Sequence, residues 1–460
     1  MRTLFGFLAA TVGFPLTAAE DGLHGRLLEK VTCVADATQS YALYVPSNYS
    51  PDKKWPVIFC FDPGARGRTP VERLQTAGEQ FGYIVAGSNN SRNGPWEGNA
   101  KAIRAMVGDV QSRLAIDARR VYAAGLSGGA RVAIQTALLG MAKGVIACSA
   151  GFPDPEIPLR VSFPVFGTAG IEDISYGEMM NLDRQLEDRK ALYRIVVFGG
   201  GHEWAPAALL TDAVEWLDLQ AMRAGTRPRD ETRIRAAWEK RVAAMPSRPG
   251  LERWRGLKSL AADFKGLTET AEIEEEAKKV GLAVDVKEGL KAERALTARE
   301  RELGEKVVGA IDASAAKKHA VADDLIKRAE APDDSPDRQI ARRVRASYAA
   351  MVRERLRGMF ADEEYSEAAN MLEMAAILRP GQTRTLFDLA RARAYQRDPK
   401  RALQALGEAA DAGFSDAERA ESEPAFAKLK SDPVFRERLA AIRANPPEPE
   451  RAGGGGRRFP

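Results

Sequence analysis

Between about residue 25 and residue 222, short apolar runs alternate with longer segments in which apolar residues recur at helical spacing. Segments 26–34 and 41–45 read as an antiparallel opening. Trp55-Pro56-Val57-Ile58-Phe59-Cys60-Phe61 is a continuous apolar run, as expected for a strand buried on both faces. The pattern predicts a helix at about 70–81, a strand at 83–86 and a helix at about 98–115. Arg120-Val121-Tyr122-Ala123-Ala124 has strand character. Beyond Gly129, the residues Ala130, Val132, Ala133, Ile134, Ala137 and Leu138 recur at helical spacing. Strands at 144–148, 164–167 and 193–198 follow, with helices at about 176–189 and 205–222. Strands interleaved with helices predict a mostly parallel sheet covered on both sides. Ligands on such sheets bind at the carboxyl ends of the strands.

Near residue 225 the pattern changes. Segment 223–230 reads as a polar linker, and the strands stop beyond it. Residues 231–444 are rich in Ala, Glu, Arg and Leu with helical periodicity, broken near 246–250, 281, 331–336 and 380. Ala368, Leu372 and Ala375 recur as Ala402, Leu406 and Ala409, each 34 residues later, and Leu386, Leu389 and Ala390 fill the intervening helix. Small residues at 368 and 402 let paired helices approach closely. The period resembles the tetratricopeptide repeat, over about 349–416, with an end cap at about 417–444. The departures are Arg393, where an aromatic residue is usual, and a poor first helix before Ala368. The segment 445–460, with four consecutive glycines, is expected to be disordered.

Composition narrows the class. The 460 residues are 45% hydrophobic, ordinary for a globular chain of two or three domains. A net charge of +4 is too small a bias to imply nucleic acid. Residues 1–19 read as a secretory signal: Arg2, then a short apolar stretch, then Thr17-Ala18-Ala19 ahead of a cut before Glu20. No later segment is long and apolar enough to span a membrane. The mature protein is therefore expected in the periplasm or outside the cell. Cys33, Cys60 and Cys148 all sit in apolar, strand-like runs, which favours buried thiols; a Cys33–Cys60 bridge is the alternative. No Cys/His spacing suggests zinc.

The candidate chemistry sits at the ends of strands. Gly125-Leu126-Ser127-Gly128-Gly129 joins a strand to a helix. This is the context of a nucleophile elbow, a sharp turn that exposes the serine hydroxyl beside a helix N-terminus. Gly170-Ile171-Glu172-Asp173 follows the strand at 164–167, and Gly200-Gly201-His202-Glu203-Trp204 follows the strand at 193–198. Ser127 needs a base, and the base needs an acid to hold its tautomer. His202 is the only histidine between the elbow and the end of the alternating region. Asp173 is preferred to Glu172 because it lies one residue deeper in its loop.

These three segments, in the order Ser127, Asp173, His202, resemble the α/β-hydrolase superfamily over about 25–222. The G-G-H-x-W segment is similar to secreted feruloyl and acetyl-xylan esterases and polyhydroxybutyrate depolymerases. The resemblance implies an α/β-hydrolase domain at 23–222 with a catalytic triad of those residues and no cofactor. It also implies an oxyanion hole after the third strand. That family type has His-Gly there, whereas this chain has Phe61-Asp62-Pro63-Gly64, and Pro63 has no N–H. The donors expected are then Gly64, or alternatively Ala65, together with Gly128. Trp96 and Trp204 are candidate substrate-stacking residues or packing residues. Arg66 and Arg68 either attract an anionic substrate or are solvated charges.

The reading that follows is an exported carboxylic-ester hydrolase acting on an ester-bearing small molecule or polymer, its helical domain binding a protein partner or substrate. A serine peptidase on the same fold is one alternative. A repeat-mediated interaction protein with a weak or inactive hydrolase scaffold is the other.

Overall fold

The computed structural model describes residues 24–154, 160–247 and 250–447. The proposed signal segment and most of the glycine-rich tail lie outside the described residues. The first unit is an eight-stranded sheet: β1 (Leu27–Thr32), β2 (Ser40–Tyr44), β3 (Trp55–Phe61), β4 (Ile84–Ser88), β5 (Ile116–Leu126), β6 (Val145–Cys148), β7 (Val165–Gly170) and β8 (Tyr193–Phe198). Its spatial order is β1-β2-β4-β3-β5-β6-β7-β8. β1 and β2 run antiparallel, and β3 to β8 are parallel. Helices connect the parallel strands: α1 (Arg68–Phe81), α2 (Trp96–Arg113), α3 (Gly128–Leu138), α4 (Tyr176–Asp188) and α5 (Ala207–Arg223). The order, direction and interleaving are those of the α/β-hydrolase fold that the motif resemblance implies, and the mostly parallel sheet is the one the apolar pattern predicts.

The period of two along each strand divides the core. Val57, Phe59 and Phe61 of β3 join Ile103, Ala133, Met179 and Leu182 on one face. Ile58 and Cys60 join Val71, Leu74, Phe166, Val214 and Trp216 on the other. Every residue of β3 through β7, apart from the first part of β5, is buried, which explains their nearly unbroken apolar character.

The first unit does not stop at the change in composition. It runs to Lys287, apart from the segment Glu172–Ile174. Three further helices, α6 (Glu231–Ala243), α7 (Leu251–Phe264) and α8 (Ala271–Gly281), belong to it. The reason is a buried anchor. The Asp263 carboxylate accepts from Trp216 Nε1 at 2.5 Å and Arg241 at 2.5 Å, and also pairs with Arg194. Its backbone carbonyl accepts from Gln220 Nε2 at 3.0 Å. Residues 223–230 are likewise tied in rather than free, through the Arg227–Asp218 ion pair.

The second unit comprises Glu172–Ile174 and Glu288–Pro460. It holds most of α9 (Val284–Val308), then α10 (Ala315–Ala329), α11 (Pro336–Ala361), α12 (Tyr365–Leu378), α13 (Thr383–Tyr395), α14 (Pro399–Asp411), α15 (Ala417–Ser422), a 3₁₀ turn (Pro424–Leu429) and α16 (Pro433–Ala444). Ser335, Asp398 and Asp432 cap helices whose next residue is proline, an efficient start because proline lacks the N–H that a first turn leaves unused. The repeating positions Ala368, Leu372, Ala375, Ala402, Leu406 and Ala409 are all buried. Arg393 is buried too, and it pairs with Glu373 at 3.4 Å, beside Lys318 at 2.6 Å. No helix among the described residues is long and apolar enough to cross a membrane.

All three cysteines are free and buried. Burial first, and Asp109 second, pushes the Cys33 thiol up to about 11. A raised value means that thiolate accumulates only as pH climbs toward it, so about 10⁻³ of the Cys33 population is reactive at pH 8. Native protein is expected to resist iodoacetamide at pH 8 and to take up three labels once unfolded, read by intact-mass spectrometry.

Candidate active site

The turn between β5 and α3 is tightly constrained. Ser127 has φ 54 and ψ −122, a left-handed backbone that side chains other than glycine rarely adopt. Its N–H donates to Cys148 O at 2.8 Å, and its carbonyl accepts from Ala130 N at 2.9 Å, so the strain is held from both sides. A Cβ at Gly125 would lie 2.0 Å from Gly129 O, and one at Gly129 would lie 2.0 Å from Phe61 O. Both positions therefore require glycine. Ser127 is half-buried at the N-terminus of α3, and Arg131 N also donates to its carbonyl at 3.2 Å.

His202 sits on the loop after β8 and is half-buried. Two contacts fix this loop. A Cβ at Gly170, the last residue of β7, would lie 2.4 Å from both Gly200 O and Gly201 O, so the loop rests directly on the end of β7. Ile171 N also donates to Phe198 O at 2.8 Å. On the far side of His202, the indole Nε1 of Trp204 donates to Asp62 Oδ2 at 2.9 Å.

Asp62 is a residue that the sequence reading left without a role. It is fully buried at the carboxyl end of β3. Besides Trp204, it accepts from Gly64 N at 2.8 Å, Arg66 Nε at 2.8 Å and Arg66 Nη2 at 3.0 Å. This corrects several expectations. Gly64 is not a spare oxyanion donor, because its N–H is spent on the Asp62 carboxylate. Ala65 is no better placed, since its N–H donates to Asp62 O at 3.1 Å. Trp204 is 2% exposed and packs inside the domain, so it is not a stacking platform. Arg66 neutralises Asp62, and Arg68 pairs with Glu29 at 2.6 Å. Trp96 remains accessible, at 41% exposure.

Of the two acid candidates, Asp173 is fully buried, while Glu172 is partly exposed and pairs with Arg342 at 2.7 Å. Both lie in the segment grouped with the second unit. The residue that sequence reasoning missed, besides Asp62, is Asn93 on the loop after β4. A Cβ at Gly128 would lie 1.8 Å from Asn93 Oδ1, so its carboxamide lies over the residue that follows Ser127. Among the described residues, no group of three or more His, Cys, Asp or Glu side chains suits a metal ion.

No family model matches the chain, and no curated protein matches it. Solved structures are similar to it over less than half its length. A ferulic acid esterase is 15% identical, covering 41% of this chain and 96% of its own, with a TM-score of 0.34. A mutant feruloyl esterase module from Clostridium thermocellum complexed with sinapinate is 19% identical, with coverages of 46% and 95% and a TM-score of 0.34. An S-formylglutathione hydrolase from Staphylococcus aureus is 13% identical, with coverages of 42% and 94% and a TM-score of 0.34.

Trp204→Phe keeps the ring packing and removes the indole donor from a buried carboxylate. It is expected to lower the unfolding free energy by about 1.5–3 kcal/mol, measured by urea denaturation. Gly129→Ala, which drives a methyl group into the β3 backbone, is expected to cost about 3 kcal/mol or more in the same assay.

Proposed function

We propose that the chain is a serine hydrolase that cleaves carboxylic esters through an acyl-enzyme on Ser127. The observation that carries this reading is the Ser127 backbone, φ 54 and ψ −122, held between two glycines that tolerate no side chain. Strain of this kind costs about 1–3 kcal/mol and clusters at active sites. His202 is the proposed base and Asp173 the acid that orients it. Their supports are their positions after parallel strands β8 and β7, and the burial of Asp173.

In the proposed reaction His202 takes the Ser127 hydroxyl proton as Oγ bonds to the ester carbonyl carbon. The carbonyl π pair moves onto oxygen, where the Gly128 N–H stabilises it. Collapse of this adduct breaks the bond to the alcohol, which leaves with the proton from His202. Water then repeats the sequence and frees the acid. Trp96, exposed at the start of α2, is a proposed contact for the substrate. The 34-residue spacing in the helical unit supports a role in protein or substrate binding. The N-terminal apolar segment supports export.

The test is covalent. A fluorophosphonate probe is expected to label the wild-type protein once, and Ser127→Ala is expected to abolish labelling. The same substitution is expected to lower kcat on a p-nitrophenyl ester by about 10³-fold or more. A folded protein that never reacts with the probe would refute the reading and favour a binding scaffold.

A further inference from the structure

The geometry points to the Asn93 side chain as the second donor to the oxyanion, in place of a backbone N–H after β3; the inference rests on the ester-hydrolase reading above. A tetrahedral oxyanion is stabilised by donors aimed at the oxygen from more than one direction. Gly128 supplies one. In the usual position for another, Pro63 has no N–H, and those of Gly64 and Ala65 are committed to Asp62.

Asn93 stands next to this gap. Position 128 is glycine, and the volume where its side chain would be is filled by the Asn93 carboxamide: the ideal Cβ lies 1.8 Å from Oδ1, 3.0 Å from Cγ and 3.7 Å from Nδ2. The carboxamide thus borders the N-terminus of α3, on the residue whose N–H faces the developing charge. It carries two N–H donors, and because Asn93 is exposed they are open to a ligand.

The loop that presents Asn93 is held firmly. Asn93 N donates to Pro63 O at 2.9 Å, and Arg92 bridges Gly64 in antiparallel register. Behind it, buried Asn99 accepts from Arg92 N at 3.0 Å and Ser91 Oγ at 2.8 Å, and donates to Arg92 O at 3.0 Å. Ser88 Oγ accepts from Ser91 N at 3.0 Å. The backbone that carries the donor is thus held in place, which limits the reorganisation needed as charge develops.

The test compares Asn93→Ala and Asn93→Asp with wild type on p-nitrophenyl acetate. Asn93→Ala is expected to lower kcat by about 10²-fold or more with KM changed by less than about threefold. Asn93→Asp is expected to lose at least as much, because a carboxylate donates nothing and repels the oxyanion. Thermal melts of both should match wild type, since the side chain is exposed. An Asn93→Ala enzyme with kcat within about threefold of wild type, or one impaired only in KM, would overturn the assignment while leaving the ester-hydrolase reading intact. Wild-type protein that neither labels with fluorophosphonate nor turns over the ester would overturn both.

Discussion

The carboxyl end of the sheet is built around a buried anion. Asp62 is fully desolvated, and an unpaired carboxylate in that place would cost several kcal/mol. Its compensation comes from both sides. Gly64 and Arg66 fold the following turn back onto it, and Trp204 reaches it from 142 residues further along the chain. One charge therefore fixes the shape of the loop after β3 and the path of the loop after β8. The second of these is the loop that bears His202. Local and long-range order share a single acceptor, so a shift of either loop takes hydrogen bonds away from the same buried carboxylate.

A second constraint acts at the elbow. Main chain lies on main chain at Gly125, Gly129 and Phe61, and again where Gly170 meets Gly200 and Gly201. Approaches this close leave no room for side chains, so distances at the rim are set by backbone van der Waals contact. A site made this way owes its precision to glycines and one carboxylate rather than to large side chains. The apolar layers on either face of the sheet supply the stability that such a rim requires.

Much of this was legible in the sequence. The continuous run at 55–61, the alternation of strands and helices, and the Gly-x-Ser-x-Gly junction gave the sheet and its elbow, because each rests on residues close together in the chain. The role of Asp62 was half legible. Asp-Pro-Gly is a turn sequence in which the aspartate side chain accepts from the residue two further on, and that alone removes Gly64 as a donor. The Trp204 partner was not legible, since nothing local ties position 62 to position 204. The extent of the first unit was missed for the same reason. The residues around Asp263 read as one more amphipathic helix, and only the buried acid with its Trp216, Arg194 and Arg241 partners assigns them to the sheet domain. Asn93 was hidden in a polar loop whose composition says only that it turns.

The supports of the elbow also have an order in time. A chain is made from its N-terminus, and everything that holds Ser127 in its left-handed conformation, from Phe61 O to Cys148 O, is present once β6 has emerged. Trp204 and the loop it anchors come later. The contacts that shape residue 127 are therefore encoded within residues 61–148, whereas those that fix the loop after β8 need the chain as far as residue 204.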